Sequence, residues 1–239
     1  MRTTWPGSRS RCSTGSRPEP LLAPAAGWLK DLGFEVTEGM ATTGVAGVLR
    51  NGDGPVVLLR ADMDALPVRE ETGLGYASTV DGVMHACGHD LHVTCLLGAA
   101  SELAGTRSGW SGTLVTVFHP SEETVRGAAA MVADGLYGRV PRPDIVLGQH
   151  VSPVPSGMIG LRAGKAYAAT DSLRITLYGA GGHSSRPEVT IDPVVMAAAT
   201  VAGLPSNHSP LYAPVEDPTI AIGVSALSAA AREWFGPAS

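Results

Sequence analysis

The apolar positions of this chain fall into short blocks divided by glycine- and proline-rich stretches. Trp28, Leu29 and Leu32 recur at helical spacing and Gly33 follows as a stop, so the pattern predicts a helix from about Ala25. Gly44 to Arg50 and Val56 to Arg60 read as strands, and Asn51-Gly52-Asp53-Gly54 between them reads as a hairpin turn. The second strand is apolar almost throughout, as a central strand buried on both faces would be. His92 to Leu103 predicts a helix, Thr113 to Phe118 a strand, Gly127 to Leu136 a helix, and Asp144 to Leu147 a short apolar strand. Strand, helix, strand, helix, strand is the order of an α/β fold with a parallel-rich sheet flanked by helices.

A second unit begins near Ala168. Ser172 to Tyr178 alternates as a half-buried strand, and Asp192 caps a helix from Pro193 to about Ala202. One strand and one helix cannot cover a sheet, so this unit reads as truncated. A last helix is predicted from Ile222 to Trp234.

Residues 1–24 are rich in Arg, Ser, Pro and Gly and read as a tail without order. Apolar residues make up 44% of the 239, enough for a core, and the net charge is −5. That balance argues against a nucleic-acid partner, which would select a basic patch. No apolar run reaches the ~18 residues that a membrane helix needs. Cys12, Cys87 and Cys95 cannot form a disulfide framework, so the expectation is a reduced, cytoplasmic chain in which a cysteine is free to act as a ligand.

The chemistry concentrates where predicted strands end. His85-Ala86-Cys87-Gly88-His89-Asp90-Leu91-His92 sets one thiol, three imidazoles and a carboxylate just before a helix. Thiolate and imidazole are the donors that zinc-like ions prefer. Phe118-His119-Pro120-Ser121-Glu122-Glu123 runs a strand into two adjacent carboxylates, a costly pairing unless a cation is near or one acid is protonated. Asp144 to His150 also ends an apolar strand in a ligand type. Each piece alone has a plain reading, such as exposed acids, a surface histidine or a buried cysteine. Three successive strand ends of this kind point to one metal site. Asp62, Asp64 and Asp90 are placed to hydrogen-bond ligating imidazoles from behind. Gly179 to Pro187 is a glycine-rich turn presenting His183 and Arg186.

Taken together, LLRADMDALPV, GVMHACGHDLH, VFHPSEE, GQHV, GGHSSRP and NHSP resemble the M20 metallopeptidase family, in its amidohydrolase branch of hippurate and N-acyl-amino-acid hydrolases. The resemblance implies a metal-binding α/β domain with a smaller lid, or dimerisation, domain inserted in it. On this chain the division would be 25–165 with 205–239, and 166–204. It implies two divalent ions, Zn or Mn, on Cys87, His89, Glu123, His150 and His208. Glu122 would be the catalytic base, and His183 would stabilise an oxyanion in a partner subunit of a homodimer. The substrate would be a small amide such as an N-acyl amino acid.

Two departures accompany the likeness. Between Leu204 and Asn207 the chain passes from the first lid helix to a motif that closes the catalytic domain, and the opening 24 residues read like out-of-frame translation. An inactive, shortened remnant that binds metal at most is therefore the alternative to an active amidohydrolase. A purely structural zinc module is disfavoured by Glu122-Glu123, because structural zinc sites are usually closed by four Cys or His ligands.

Overall fold

The computed structural model describes residues 22–164, 176, 178 and 217–237. The strand expected at Ser172–Tyr178 (but for its residues 176 and 178) and the helix from Pro193 lie outside them. The chain divides into two compact units, 1–158 with 207–239, and 159–206. In the second unit the described stretch 159–164 carries no helix or strand, and Leu161 is exposed.

The first unit is a five-stranded sheet with helices on both faces. Its elements are α1 (Leu22–Asp31), β1 (Glu35–Met40), β2 (Gly44–Asn51), β3 (Val56–Asp62), α2 (His89–Gly105), β4 (Gly112–His119), α3 (Gly127–Ala133), α4 (Leu136–Arg139), β5 (Ile145–Gly148) and α5 (Thr219–Arg232). The sheet order is β1-β2-β4-β3-β5. β3 pairs in parallel with β4 and β5, whereas β2 is antiparallel to both β1 and β4. Only β2 therefore runs against the other four, and the parallel-rich α/β expectation holds.

The expected hairpin at 51–54 does not form, because β4 lies between β2 and β3. Both strands find their partner on β4, Val48 opposite Val115 and Leu58 beside Val115. Asn51 instead secures the entry to β4, its Nδ2 donating to Arg107 O at 2.8 Å and Trp110 O at 2.5 Å. A turn dipeptide between two strands implies a hairpin only if the strands are adjacent. Two runs that must each be buried on both faces compete for central positions instead.

The two-residue period sorts the central strands. Val57, Leu59, Ala61, Leu114 and Phe118 join the core under α1, α2 and α5, while Leu58, Val115 and Val117 pack with Met131, Leu136 and Val140 on the opposite face. On β5, Val146 is 53% exposed. β1 went unforeseen because its residues, Glu-Val-Thr-Glu-Gly-Met, are mostly polar and only Met40 is buried. The helix expected over 127–136 is broken at Gly135, which adopts φ +86°. α2 starts three residues earlier than its apolar period suggests. Gly88 adopts φ +79° and lets His89 open the first turn.

α2 and α5 approach closely through small residues. A Cβ on Gly98 would lie 2.3 Å from Val224 Cγ2, and one on Gly223 would lie 2.6 Å from Cys95 Sγ. Gly98→Leu is expected to force the helices apart and destabilise the unit by about 1–3 kcal/mol, read as a lower denaturation midpoint in urea.

Candidate metal centre

Because β3, β4 and β5 run the same way, their carboxyl ends leave the sheet at one edge. Open α/β sheets build their sites there. β3 delivers Asp62 and Asp64, β4 delivers Glu122 and Glu123, and β5 delivers His150. The loop before α2 adds Cys87, and the first turn of α2 adds His89 and His92.

β4 does not run straight into its acids. Ser121 and Val125, both at left-handed φ of 57° and 58°, bracket a single 3₁₀ turn over Glu122–Thr124. A β-branched residue in that region is an outlier that persists only when its surroundings impose it. Asp64 supplies the constraint. Its Oδ1 accepts the Glu122 N–H at 3.0 Å and its Oδ2 accepts the Glu123 N–H at 3.1 Å. Gly127 completes the turn, since a Cβ there would sit 1.5 Å from Pro120 O.

His89, 1% exposed, is the centre of the cluster. Its Nδ1 lies 2.8 Å from the Asp64 carbonyl oxygen. A carbonyl only accepts, so Nδ1 carries the proton and Nε2 points inward. That nitrogen is buried without a hydrogen-bond partner. It lies 3.8 Å from Glu122 Oε2, 3.8 Å from Glu123 Oε1 and 4.0 Å from Asp62 Oδ1, too far for hydrogen bonds. The ligand atoms of Cys87, His89 and Glu123 all lie within 4.8 Å of one another. His150 joins through Nε2, 3.6 Å from Cys87 Sγ. Bonds of ~2.0–2.3 Å to one tetrahedral ion would set its ligand atoms about 3.3–3.8 Å apart. The separations of 3.6 and 3.8 Å fall in that range. An unsatisfied imidazole nitrogen among carboxylates and a thiol fits a divalent cation.

The electrostatics agree. Burial opposes charge on His89, but the Asp64 side chain, the neighbouring Cys87 sulfur and the negative charge of Asp62 and Asp64 raise its pKa to about 11. In the absence of a cation, a proton thus supplies the positive charge the acids demand. His150 is also raised, chiefly by its hydrogen bond with Cys87. Asp62 is buried, yet His92, His89 and Arg60 hold it far below the usual carboxylate range. Glu122 is raised by burial and by the charges of Asp62, Glu123 and Asp64. The side chain of Glu122 is 37% exposed against 15% for Glu123, so Glu122 faces the open side of the cluster and Glu123 faces inward.

Of the residues singled out from sequence, Cys87, His89, Glu122, Glu123, His150, Asp62 and Asp64 meet at this edge. Asp90 takes no part in the contacts described here. Its Oδ1 accepts the Leu91 N–H, and its charge acts on buried His85. His183 and His208 lie outside the described residues. The sequence reading left His92 and Arg60 without roles, although both contact Asp62, at 2.5 and 2.8 Å. The spacing of His89 and His92, one helical turn apart, was the available signal.

Residues 58–237 match the family described as peptidase family M20/M25/M40, a span that contains all three strand ends. The chain belongs to this family. Among M20-type relatives, the hippurate hydrolase of Campylobacter jejuni is 43% identical over 197 residues, covering 82% of this chain and 51% of that protein. The N-acetylcysteine deacetylase of Bacillus subtilis is 36% identical over 198 residues, with coverage of 82% and 51%. The solved structure of the Bacillus subtilis YXEP protein, a dinuclear metal-binding peptidase of the M20 family, matches with a TM-score of 0.53 and 34% identity. It covers 61% of this chain and 40% of that one. The chain spans about half the length of the curated relatives it matches.

Two outcomes are expected. Zinc binding should release protons and tighten as pH rises toward 8, because a metal on His89 Nε2 displaces the proton held there. Calorimetric titration in buffers of different ionisation enthalpy measures that release. Asp64 is held below the ordinary carboxylate range, where burial is outweighed by its bonds with His89 and the Glu123 and Glu122 amides. Its stabilisation is complete above the unfolded pKa of about 3.9 and fades as pH falls through the lower folded value. Asp64→Asn should cost roughly 1–3 kcal/mol in denaturant titrations at pH 7, and the difference should shrink below about pH 4.

Proposed function

We propose that this protein hydrolyses the amide bond of N-acyl amino acids or similar small amides, with Glu122 as general base. The observation that carries the reading is the pairing of Glu122 with an inward Glu123 beside the unpartnered His89 Nε2. The names of the relatives, a hippurate hydrolase and an N-acetylcysteine deacetylase, supply the substrate class.

Cys87, His89, Glu123 and His150 would hold divalent metal, with His208 as a further ligand and Zn or Mn as the ions. Two ions would be bound, by analogy with the dinuclear YXEP protein. Bound metal lowers the pKa of a coordinated water and polarises a carbonyl. The chain's own residues do the rest. Glu122, raised above an ordinary glutamate and open to the substrate side, accepts a proton at Oε2 and returns it to the leaving amine. Asp64 keeps that carboxylate in place through the Glu122 amide. Cys87 is in no disulfide, so its sulfur is available as a thiolate ligand, which suits a reducing cytoplasm. Residues 166–204 would belong to the lid, from which His183 would stabilise an oxyanion across a homodimer.

The span of about half the relatives' length favours a second reading, a metal-binding remnant without turnover. Glu122→Gln separates the two. It is expected to keep its metal, measured by elemental mass spectrometry, and to lose hydrolysis of an N-acyl amino acid panel by roughly 10²–10⁴-fold. Full activity in that variant would remove Glu122 as the base. A wild-type chain that binds metal and cleaves nothing in the panel would establish the remnant.

A further inference from the structure

Asp62, His89, His92 and His150 also place their ligand atoms within 4.8 Å of one another, and so look like a four-ligand metal site. Hydrogen-bond directions on the backbone show otherwise. A backbone carbonyl only accepts and a backbone N–H only donates, so a histidine bonded to either has its tautomer decided. His150 Nδ1 lies 2.6 Å from Val151 O, which makes Nδ1 the donor and leaves Nε2 open toward Cys87. His89 obeys the same rule through Asp64 O. His92 is the reverse case. The Val151 N–H donates to His92 Nε2 at 3.0 Å, so that nitrogen has already spent its lone pair. The His92 proton sits on Nδ1, 2.5 Å from Asp62 Oδ1. The other oxygen of Asp62 accepts from Arg60 Nη1 at 2.8 Å.

The geometry points to His92 as a positioning residue rather than a metal ligand. It is a neutral imidazole braced between Asp62 and the Val151 amide, and it holds the loop that aims His150 Nε2 at Cys87. The brace runs from Arg60 and Asp62 on β3, through His92 on α2, to Val151 after β5. Val151 is engaged from both sides, its N–H by His92 and its carbonyl by His150. The His92 and His150 rings lie 4.4 Å apart at 58°, packed against each other. The consequence for metal uptake rests on the proposed centre. The tautomer and the brace do not.

Imidazole nitrogen NMR on the ¹⁵N-labelled full chain tests this, first without metal and then with zinc alone. The expected apo spectrum shows His92 protonated at Nδ1 and not at Nε2. With zinc, His89 and His150 should show coordination shifts at Nε2 and His92 none. A proton on His92 Nε2, or a coordination shift at His92, would overturn the proposal. A chain that takes up no zinc would sink the metal reading, while the apo spectrum would still decide the tautomer.

Two variants probe the brace itself. His92→Asn keeps an N–H donor near Asp62 and loses the acceptor for Val151. His92→Gln keeps an oxygen where Nε2 stood. Hydrogen exchange at the Val151 amide should quicken roughly tenfold in His92→Asn and be largely restored in His92→Gln. Zinc affinity should fall roughly 10–100-fold in His92→Asn with the number of bound ions unchanged. Loss of one ion per chain, or an unaltered Val151 amide in the folded Asn variant, would overturn the assignment.

Discussion

Two backbone N–H groups, those of Glu122 and Glu123, point at the oxygens of one carboxylate, Asp64. The carbonyl of the same residue receives the Nδ1–H of His89. Asp64 therefore joins the end of β3, the turn after β4 and the first turn of α2. The left-handed Ser121 and Val125 on either side of the acid pair have no local reason to adopt that shape. Strain of about 1–3 kcal/mol at each such residue is tolerable only while Asp64 holds the turn. The placement of Glu122 and of the inward Glu123 depends on this one residue.

Around it, the backbone decides which ring nitrogen of each imidazole donates or accepts. Carbonyls of residues 64 and 151 orient His89 and His150, and an amide orients His92. Peptide groups cannot exchange donor for acceptor, so these assignments do not drift with pH as those made by side chains would. The result is two Nε2 atoms, those of His89 and His150, turned toward the cluster and one, that of His92, consumed in bracing, all within a region crowded by four carboxylates. Such crowding is unfavourable in isolation and becomes favourable once positive charge enters.

Much of this was legible in the chain. The parallel-rich α/β order, the doubly buried β3 and the strand-end location of the chemistry all follow from apolar runs and their punctuation. What escaped had physical causes. β1 is polar because an edge strand need not be buried. The Asn-Gly after β2 looked like a hairpin because turn chemistry reports local geometry and not which strands become neighbours. His92 was seen and left without a role. Whether an imidazole ligates or braces depends on which nitrogen meets a backbone amide, and that is decided by an approach between residues 92 and 151 that no local pattern encodes.

The insertion of β4 between β2 and β3 also governs the order of assembly. Val56 pairs with Thr113, so β3 has no partner on that side until the chain has been made well past residue 112. During synthesis, two strands with unfilled hydrogen-bonding edges wait side by side, separated by the slot that β4 will occupy. Such edges invite pairing with a foreign chain. The strand ends carrying Asp64, Glu122 and His150 can meet only after β4 and β5 have joined β3, so a site that spans the sheet edge is completed late in assembly.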